Sequence, residues 1–182
     1  MNTTRTRVDQ RRTEQRNRTS MNLDHMSPLE IVRLMNREDH EVAPAVALEL
    51  PAIANAVNGI LDRMRKGGRL IYVGAGTSGR LGVLDASECP PTFGVSPGLV
   101  IGLIAGGKRA VTQPIEGGED STAAARRDLA KIRLAKNDSL VGLAASGSTP
   151  YVLAAITYAN AAERLPLRLP PTGNRRSPDL QR

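Results

Sequence analysis

Aromatic side chains are scarce: the 182 residues include three Tyr, one Phe and no Trp. Proteins that bind single-stranded nucleic acid stack bases on aromatic platforms set in a basic groove, and so few rings cannot build one. The single cysteine, Cys89, excludes an internal disulfide, and with His25 and His40 as the only histidines no zinc cluster has suitable spacing. Long apolar runs are missing too. The longest, Leu99 to Gly107, falls far short of the roughly 20 residues that cross a bilayer, and the Arg-rich amino terminus has no apolar core of a secretory signal. We therefore expect a soluble, cytoplasmic protein with no membrane partner, no nucleic-acid partner, no metal and no cofactor.

What is present is one domain's worth of chain, 40% hydrophobic and 24% charged, enough to bury a core. The net charge of +7 is unevenly placed. Residues 1–20 hold six Arg against Asp9 and Glu14, residues 163–182 hold five Arg against Glu163 and Asp179, and the body between them is neutral. Basic tails alone give only weak, salt-sensitive attraction to a polyanion.

The first 26 residues are polar and read as an arm that needs a partner surface to become ordered. Structure is expected to begin at Ser27, where Ser27, Pro28 and Glu30 form a capping box with proline at N1, followed by Ile31, Leu34 and Met35 toward the core. A second helix carries Ile53, Val57, Ile60, Leu61 and Met64 and stops at Lys66-Gly67-Gly68. The period then changes. Three short apolar runs, Arg69 to Val73, Leu99 to Ala105 and Leu140 to Ala145, each end in a glycine-containing turn and read as strands buried on both faces. Helical segments follow them, from about Arg80, from about Asp120 to Arg133 and after Pro150. Strand, glycine-rich turn and helix in repetition predict an α/β fold with a parallel sheet, whose ligands sit at the carboxyl ends of the strands.

Two turns at those ends suit an anion. Gly74-Ala75-Gly76-Thr77-Ser78-Gly79 lets backbone N–H groups point at a phosphate ahead of a helix. It fits the dinucleotide fingerprint formally, but the second strand ends in Ala105-Gly106-Gly107-Lys108, without the acidic residue a dinucleotide ribose needs. The turn Ala145-Ser146-Gly147-Ser148-Thr149-Pro150 has the same chemistry. Together they suggest one monophosphate held by Gly76, Thr77, Ser78, Ser146, Ser148 and Thr149. The alternative is that Thr77 and Ser146 only cap helices.

The acidic candidates are Glu88 and Glu119. The block Asp85 to Thr92 reads as a helix ending in a Pro90-Pro91 break, which leaves Glu88 near a helix carboxyl end where the dipole disfavours a carboxylate. Such a placement suits proton transfer; a solvated surface glutamate is the alternative. In Glu116 to Ser121, Asp120 reads as a helix cap and Glu119 as the carboxylate with a second use. Cys89 reads as a small buried thiol, since neither histidine lies nearby to activate it.

The strings Gly74 to Gly82, Asp85 to Thr92, Gly102 to Gly107 and Glu116 to Ser121, with Thr13 to Asn17 near the start, closely resemble the N-acetylmuramic acid 6-phosphate etherases over about residues 13–162. That resemblance implies a sugar isomerase (SIS) fold, a three-layer α/β arrangement of parallel sheet and flanking helices. It implies a homodimer and a lyase acting on a phosphorylated amino sugar, removing D-lactate from N-acetylmuramate 6-phosphate during cell-wall recycling. Glu88 matches the family's catalytic acid/base and Glu119 its second active-site glutamate, with the donor and acceptor roles left open between them. A non-catalytic phosphosugar-binding protein on the same fold, an inactive truncated product and a sugar-phosphate isomerase are the alternatives.

Two departures stand out. Ser148 occupies a place where the family usually has Arg. After Ala162 the chain turns to Leu165-Pro166-Leu167-Arg168-Leu169-Pro170-Pro171 and an Arg-rich end with neither helical nor strand period. From this we expect residues 1–26 as an arm, 27–162 as a partial SIS domain, 163–182 as an aberrant tail, and a third strand whose outer edge is exposed.

Overall fold

The computed structural model describes residues 12–161 together with Pro166 and Leu167; residues 1–11 and most of the expected tail lie outside the described residues. The chain divides into two compact units, one holding the residues up to Pro51 and the other Ala52–Pro170.

In the first unit, order begins before Ser27. Three 3-10 turns cover Arg12–Glu14, Arg18–Ser20 and Leu23–His25. Asn17 Nδ2 donates to Glu38 at 2.7 Å and Thr19 Oγ1 donates to the other Glu38 oxygen at 2.8 Å, so side chains within the unit itself hold this stretch. Helix α1, Pro28–His40, starts with the expected capping box: Ser27 Oγ accepts from the Glu30 N–H at 3.4 Å while the Ser27 N–H donates to the Glu30 carboxylate at 2.7 Å. Leu34 is buried as its period requires, but Met35, one position further round the helix, is 59% exposed rather than in the core. Helix α2 is Val42–Ala47.

Helix α3, Leu50–Arg65, belongs to the second unit from Ala52 onward and stops ahead of Gly67, which takes a φ of +80°. The sheet is parallel throughout, in the order β2-β1-β3-β4. Its strands are β1 Leu70–Gly74, β2 Val100–Ile104, β3 Ser139–Leu143 and the two-residue β4 Pro166–Leu167. Strand β4 corrects the expected bare edge, because Pro166 and Leu167 pair with Leu140 and Val141. A proline is tolerated as the first residue of an edge strand, where its missing N–H costs no ladder bond. Strand β2, at the opposite edge, is only half-buried along most of its length, not covered on both faces.

Helices lie on both faces, which makes the fold the three-layer α/β arrangement expected of a SIS domain. Ile71, Val73 and Leu140 point from the sheet into a core shared with α6 (Thr122–Lys131) and α7 (Pro150–Ala161), chiefly Leu129, Tyr151 and Ala155. Tyr151 is fully buried and its hydroxyl donates to Asp128 at 2.8 Å. Burial first, and then that carboxylate, push the phenol far above its usual pKa, so it remains a donor. The short helix α5, Arg109–Thr112, lies between β2 and α6.

Helix α4, Gly76–Phe93, covers the other face through very close backbone approaches. A Cβ on Gly102 of β2 would stand 2.6 Å from Val83 Cα and 2.9 Å from the Gly82 carbonyl oxygen. Main chain cannot give way as a flexible side chain can, so Gly102→Val is expected to lower stability by about 1–3 kcal/mol or more. The urea midpoint measures it, and an unchanged midpoint contradicts this packing.

Three helix boundaries differ from those the sequence predicts. Helix α4 starts at Gly76, not near Arg80, and runs through Pro90 and Pro91 to Phe93, where Gly94 at φ +64° donates its N–H to the Pro90 carbonyl at 2.9 Å. The proline φ fits a helix, and the pair removes two N–H donors without breaking the final turn. Glu88 therefore lies inside the helix rather than at its end. Helix α6 is capped by Ser121, whose hydroxyl accepts from the Ala124 N–H at 3.3 Å, not by Asp120.

Asp138, 2% exposed, joins the loop after α6 to the start of β1. Its carboxylate accepts from the Arg69 N–H at 2.9 Å, from Arg69 Nη2 at 2.6 Å and from the Ala135 N–H at 2.7 Å. The Ser139 N–H bonds the Arg69 carbonyl at 2.8 Å, so this cluster fixes where β3 meets β1. Among the described residues no single helix is long and apolar enough to cross a membrane.

Candidate functional site

The strand order reverses at β1: the chain moves outward to β2 and returns to the far side of β1 as β3. The carboxyl ends of β1 and β3 thus flank a topological switch point, where open α/β sheets bind ligands. Gly74 pairs in register with Leu143, so the turns after these two strands leave the sheet side by side.

In the first turn, the N-cap of α4 is Ala75, with no side-chain cap bond. The first intrahelical bond is from the Gly79 N–H to the Ala75 carbonyl at 3.1 Å. The N–H groups of Gly76, Thr77 and Ser78 precede it and have no intrahelical acceptor. No acidic residue occupies the first turn of the helix. Thr77 is thus not a cap, and an anion here meets N–H donors, two hydroxyls and the positive helix end. Gly76 has a φ of +53°, and a Cβ on Gly74 would come within 2.7 Å of Gly79 Cα, so the loop folds tightly on itself.

In the second turn, the Ser146 and Ser148 hydroxyls lie 2.7 Å apart and the Ser148 N–H donates to Ser146 Oγ at 3.3 Å. Ser146 therefore shapes the turn instead of capping α7. Thr149 stands at the head of α7, its carbonyl accepting from the Leu153 N–H at 3.0 Å.

Beside these turns, toward β2, opens a cleft of about 370 Å³ whose lining includes Gly76, Arg80, Ala105, Glu116 and Glu119. Glu119 is held there by its main chain: its carbonyl accepts from the Tyr151 N–H at 2.8 Å, one of the donors that the first turn of α7 leaves free. Glu119 is exposed to solvent and to the cleft it lines. Glu88 does not line this cleft. It lies further along α4, about 18 Å from Gly76 at the helical rise per residue. It is exposed on a face that also carries Leu81 and Leu84, 59% and 56% exposed.

Cys89 is only partly buried. Burial and the nearby Asp85 charge raise its pKa, the opposite of an activated nucleophile. Among the described residues no three His, Cys, Asp or Glu side chains gather as a metal site.

The cleft also holds Arg80, to which no sequence motif assigns a role. Arg80 donates from Nε to the carbonyls of Ala110 and Val111, at 3.1 and 3.0 Å. A cation near the positive end of a helix is unfavourably placed, and that is the signal by which it could have been noticed.

The chain is 58% identical over 147 residues to a protein of Glaesserella parasuis serovar 5 named N-acetylmuramic acid 6-phosphate etherase, covering 81% of this chain and 48% of that one. A protein of the same name from Clostridium beijerinckii is 58% identical over 148 residues, covering 81% and 49%. Another, from Caldanaerobacter subterraneus, is 52% identical over 157 residues, covering 86% and 51%. The chain spans about half the length of these curated relatives. Residues 52–160, which hold strands β1 to β3, both turns and the cleft, match the family described as glucokinase regulatory protein N-terminal SIS domain, and to that family of SIS domains the chain belongs.

Proposed function

We propose that this chain binds N-acetylmuramate 6-phosphate and serves the etherase reaction that releases D-lactate from it. The supporting observation is that phosphate-type donors and a proton-transfer carboxylate meet at one end of one sheet. Thr77, Ser78, Ser146, Ser148 and Thr149 border the switch point, with Gly76 shared between the turn and the cleft, and the Tyr151 N–H ties Glu119 to the helix that follows the second turn.

With the phosphate held in the turns, the reaction needs two proton transfers. A base removes the proton at C2 of the sugar, the C3–O bond breaks toward the lactyl oxygen, and an acid protonates that oxygen as lactate leaves. Water then adds across the double bond, its hydroxyl to C3 and a proton to C2, giving N-acetylglucosamine 6-phosphate. Glu119 is one of the two groups. Glu88 is the other in our reading, with lactate protonation its favoured role. Its distance from the cleft in a single chain is accounted for by a homodimer docked on the Leu81 and Leu84 face of α4, which carries Glu88 into the interface. We assign the protein to the cytoplasm, where this substrate would be phosphorylated.

The test is incubation of the purified chain with N-acetylmuramate 6-phosphate. D-lactate and N-acetylglucosamine 6-phosphate are expected in equal amounts. Binding of the sugar phosphate without lactate release favours the non-catalytic phosphosugar-binding reading, to which the separation of Glu88 from the cleft also lends weight. Absence of binding overturns both.

A further inference from the structure

The proposed substrate carries two anions, a phosphate and the lactyl carboxylate, and the turns after β1 and β3 account for one. The adjoining cleft, on the β2 side of β1, is lined by Glu116 and Glu119. A second carboxylate entering it meets repulsion unless a cation is already there. Arg80 is the basic side chain lining that cleft.

Its geometry suits a carboxylate. The two carbonyls that Nε binds, those of Ala110 and Val111, anchor the guanidinium at its stem edge. Neither Nη has a protein hydrogen-bond partner among the described residues. A guanidinium fixed through Nε presents two parallel donors, the arrangement that binds carboxylate oxygens bidentately. The side chain is half-buried, so the charge is only partly screened by water.

We propose that Arg80 is a substrate-binding residue that takes the lactyl carboxylate, and that it distinguishes the ether substrate from its product, which has lost that group. This inference rests on the proposed function and adds to it a residue and a specificity.

The competing role is purely mechanical, with Arg80 clamping α5 against α4. Calorimetry separates the two. Affinities for N-acetylmuramate 6-phosphate and for N-acetylglucosamine 6-phosphate are compared in a Glu119→Gln background, which slows consumption of the ligand, with and without Arg80→Met. Loss of a bidentate charge-assisted pair is expected to weaken the first ligand about 10- to 100-fold and to leave the second within about threefold. Arg80→Lys, which keeps the charge and loses the fork, is expected to fall between. Retained binding of N-acetylglucosamine 6-phosphate reports that the variants are folded. Equal weakening of both ligands, or no weakening of either, overturns the role of Arg80 while the proposed function stands. If neither ligand binds the unsubstituted chain, the proposed function fails and this assignment fails with it.

Discussion

Glu119→Gln is expected to lower D-lactate release by about 10²- to 10⁴-fold, the range lost when a positioned acid or base is removed. The amide has nearly the shape of the acid and cannot exchange a proton, so the loss falls on turnover. Placement of the residue survives the change because the bond that holds it, from the Tyr151 N–H, goes to the Glu119 main-chain carbonyl. Affinity for N-acetylglucosamine 6-phosphate, which on the proposed function engages the turns, is therefore expected to change by no more than a few-fold. Stopped or coupled assay of lactate, with calorimetry of the product sugar, measures both quantities. A variant that turns over at the full rate removes Glu119 from the chemistry. Glu88→Gln should show a comparable fall, and if Glu88 acts across a dimer interface, mixing the two inactive variants restores part of the activity. No recovery on mixing, in chains shown to exchange subunits, argues against a shared site.

The largest loss of stability is expected at Asp138. Replacing it by Ala removes the acceptor of the part-buried N–H groups of Arg69 and Ala135 and leaves the Arg69 guanidinium with main-chain acceptors only. Breaking a buried ion pair costs about 3–5 kcal/mol, and the low end applies because the Arg69 side chain is 28% exposed and can recruit water. That is a large share of the 5–15 kcal/mol typical of a domain. The pH dependence has a definite sign. Burial alone raises the Asp138 pKa, but the hydrogen bonds from Arg69 and from the N–H groups of Ala135 and Arg69, with the Arg69 charge, together bring it below its ordinary 3.8. A carboxylate whose folded pKa is depressed stabilises the fold above its unfolded pKa and loses that contribution as pH falls through the folded value. Asp138→Asn should therefore show a lower urea midpoint at neutral pH and a flatter decline on acidification. Parallel acid profiles for the two proteins would place the acid sensitivity elsewhere.

Much of the architecture is written locally. Ser27, Pro28 and Glu30 specify a helix start whatever surrounds them, and the structure has the capping box they predict. The apolar runs Arg69 to Val73, Leu99 to Ala105 and Leu140 to Ala145 mark three strands because each is too short for a helix and closes in a glycine-containing turn. Local signals failed where two of them competed. Pro90-Pro91 reads as a break, yet proline fits helical φ and Gly94 supplies the true stop. Asp120 and Ser121 are both good caps, and only the geometry of the turn selects Ser121. Pro166-Leu167 carries no strand period at all; pairing with β3 makes it one.

By itself, then, the sequence determined the alternation of elements, the chemistry of the two hydroxyl-rich turns and the family resemblance, all of which reside in residues close together along the chain. The tertiary structure alone decided the order β2-β1-β3, which sets those turns side by side. It also decided that Glu119 lines the cleft and Glu88 does not, and that Arg80 is anchored to carbonyls 30 and 31 positions away. The reason is physical: periodicity and turn preference act over a few residues, whereas the site is made by contacts that exist only after the sheet has brought distant segments together.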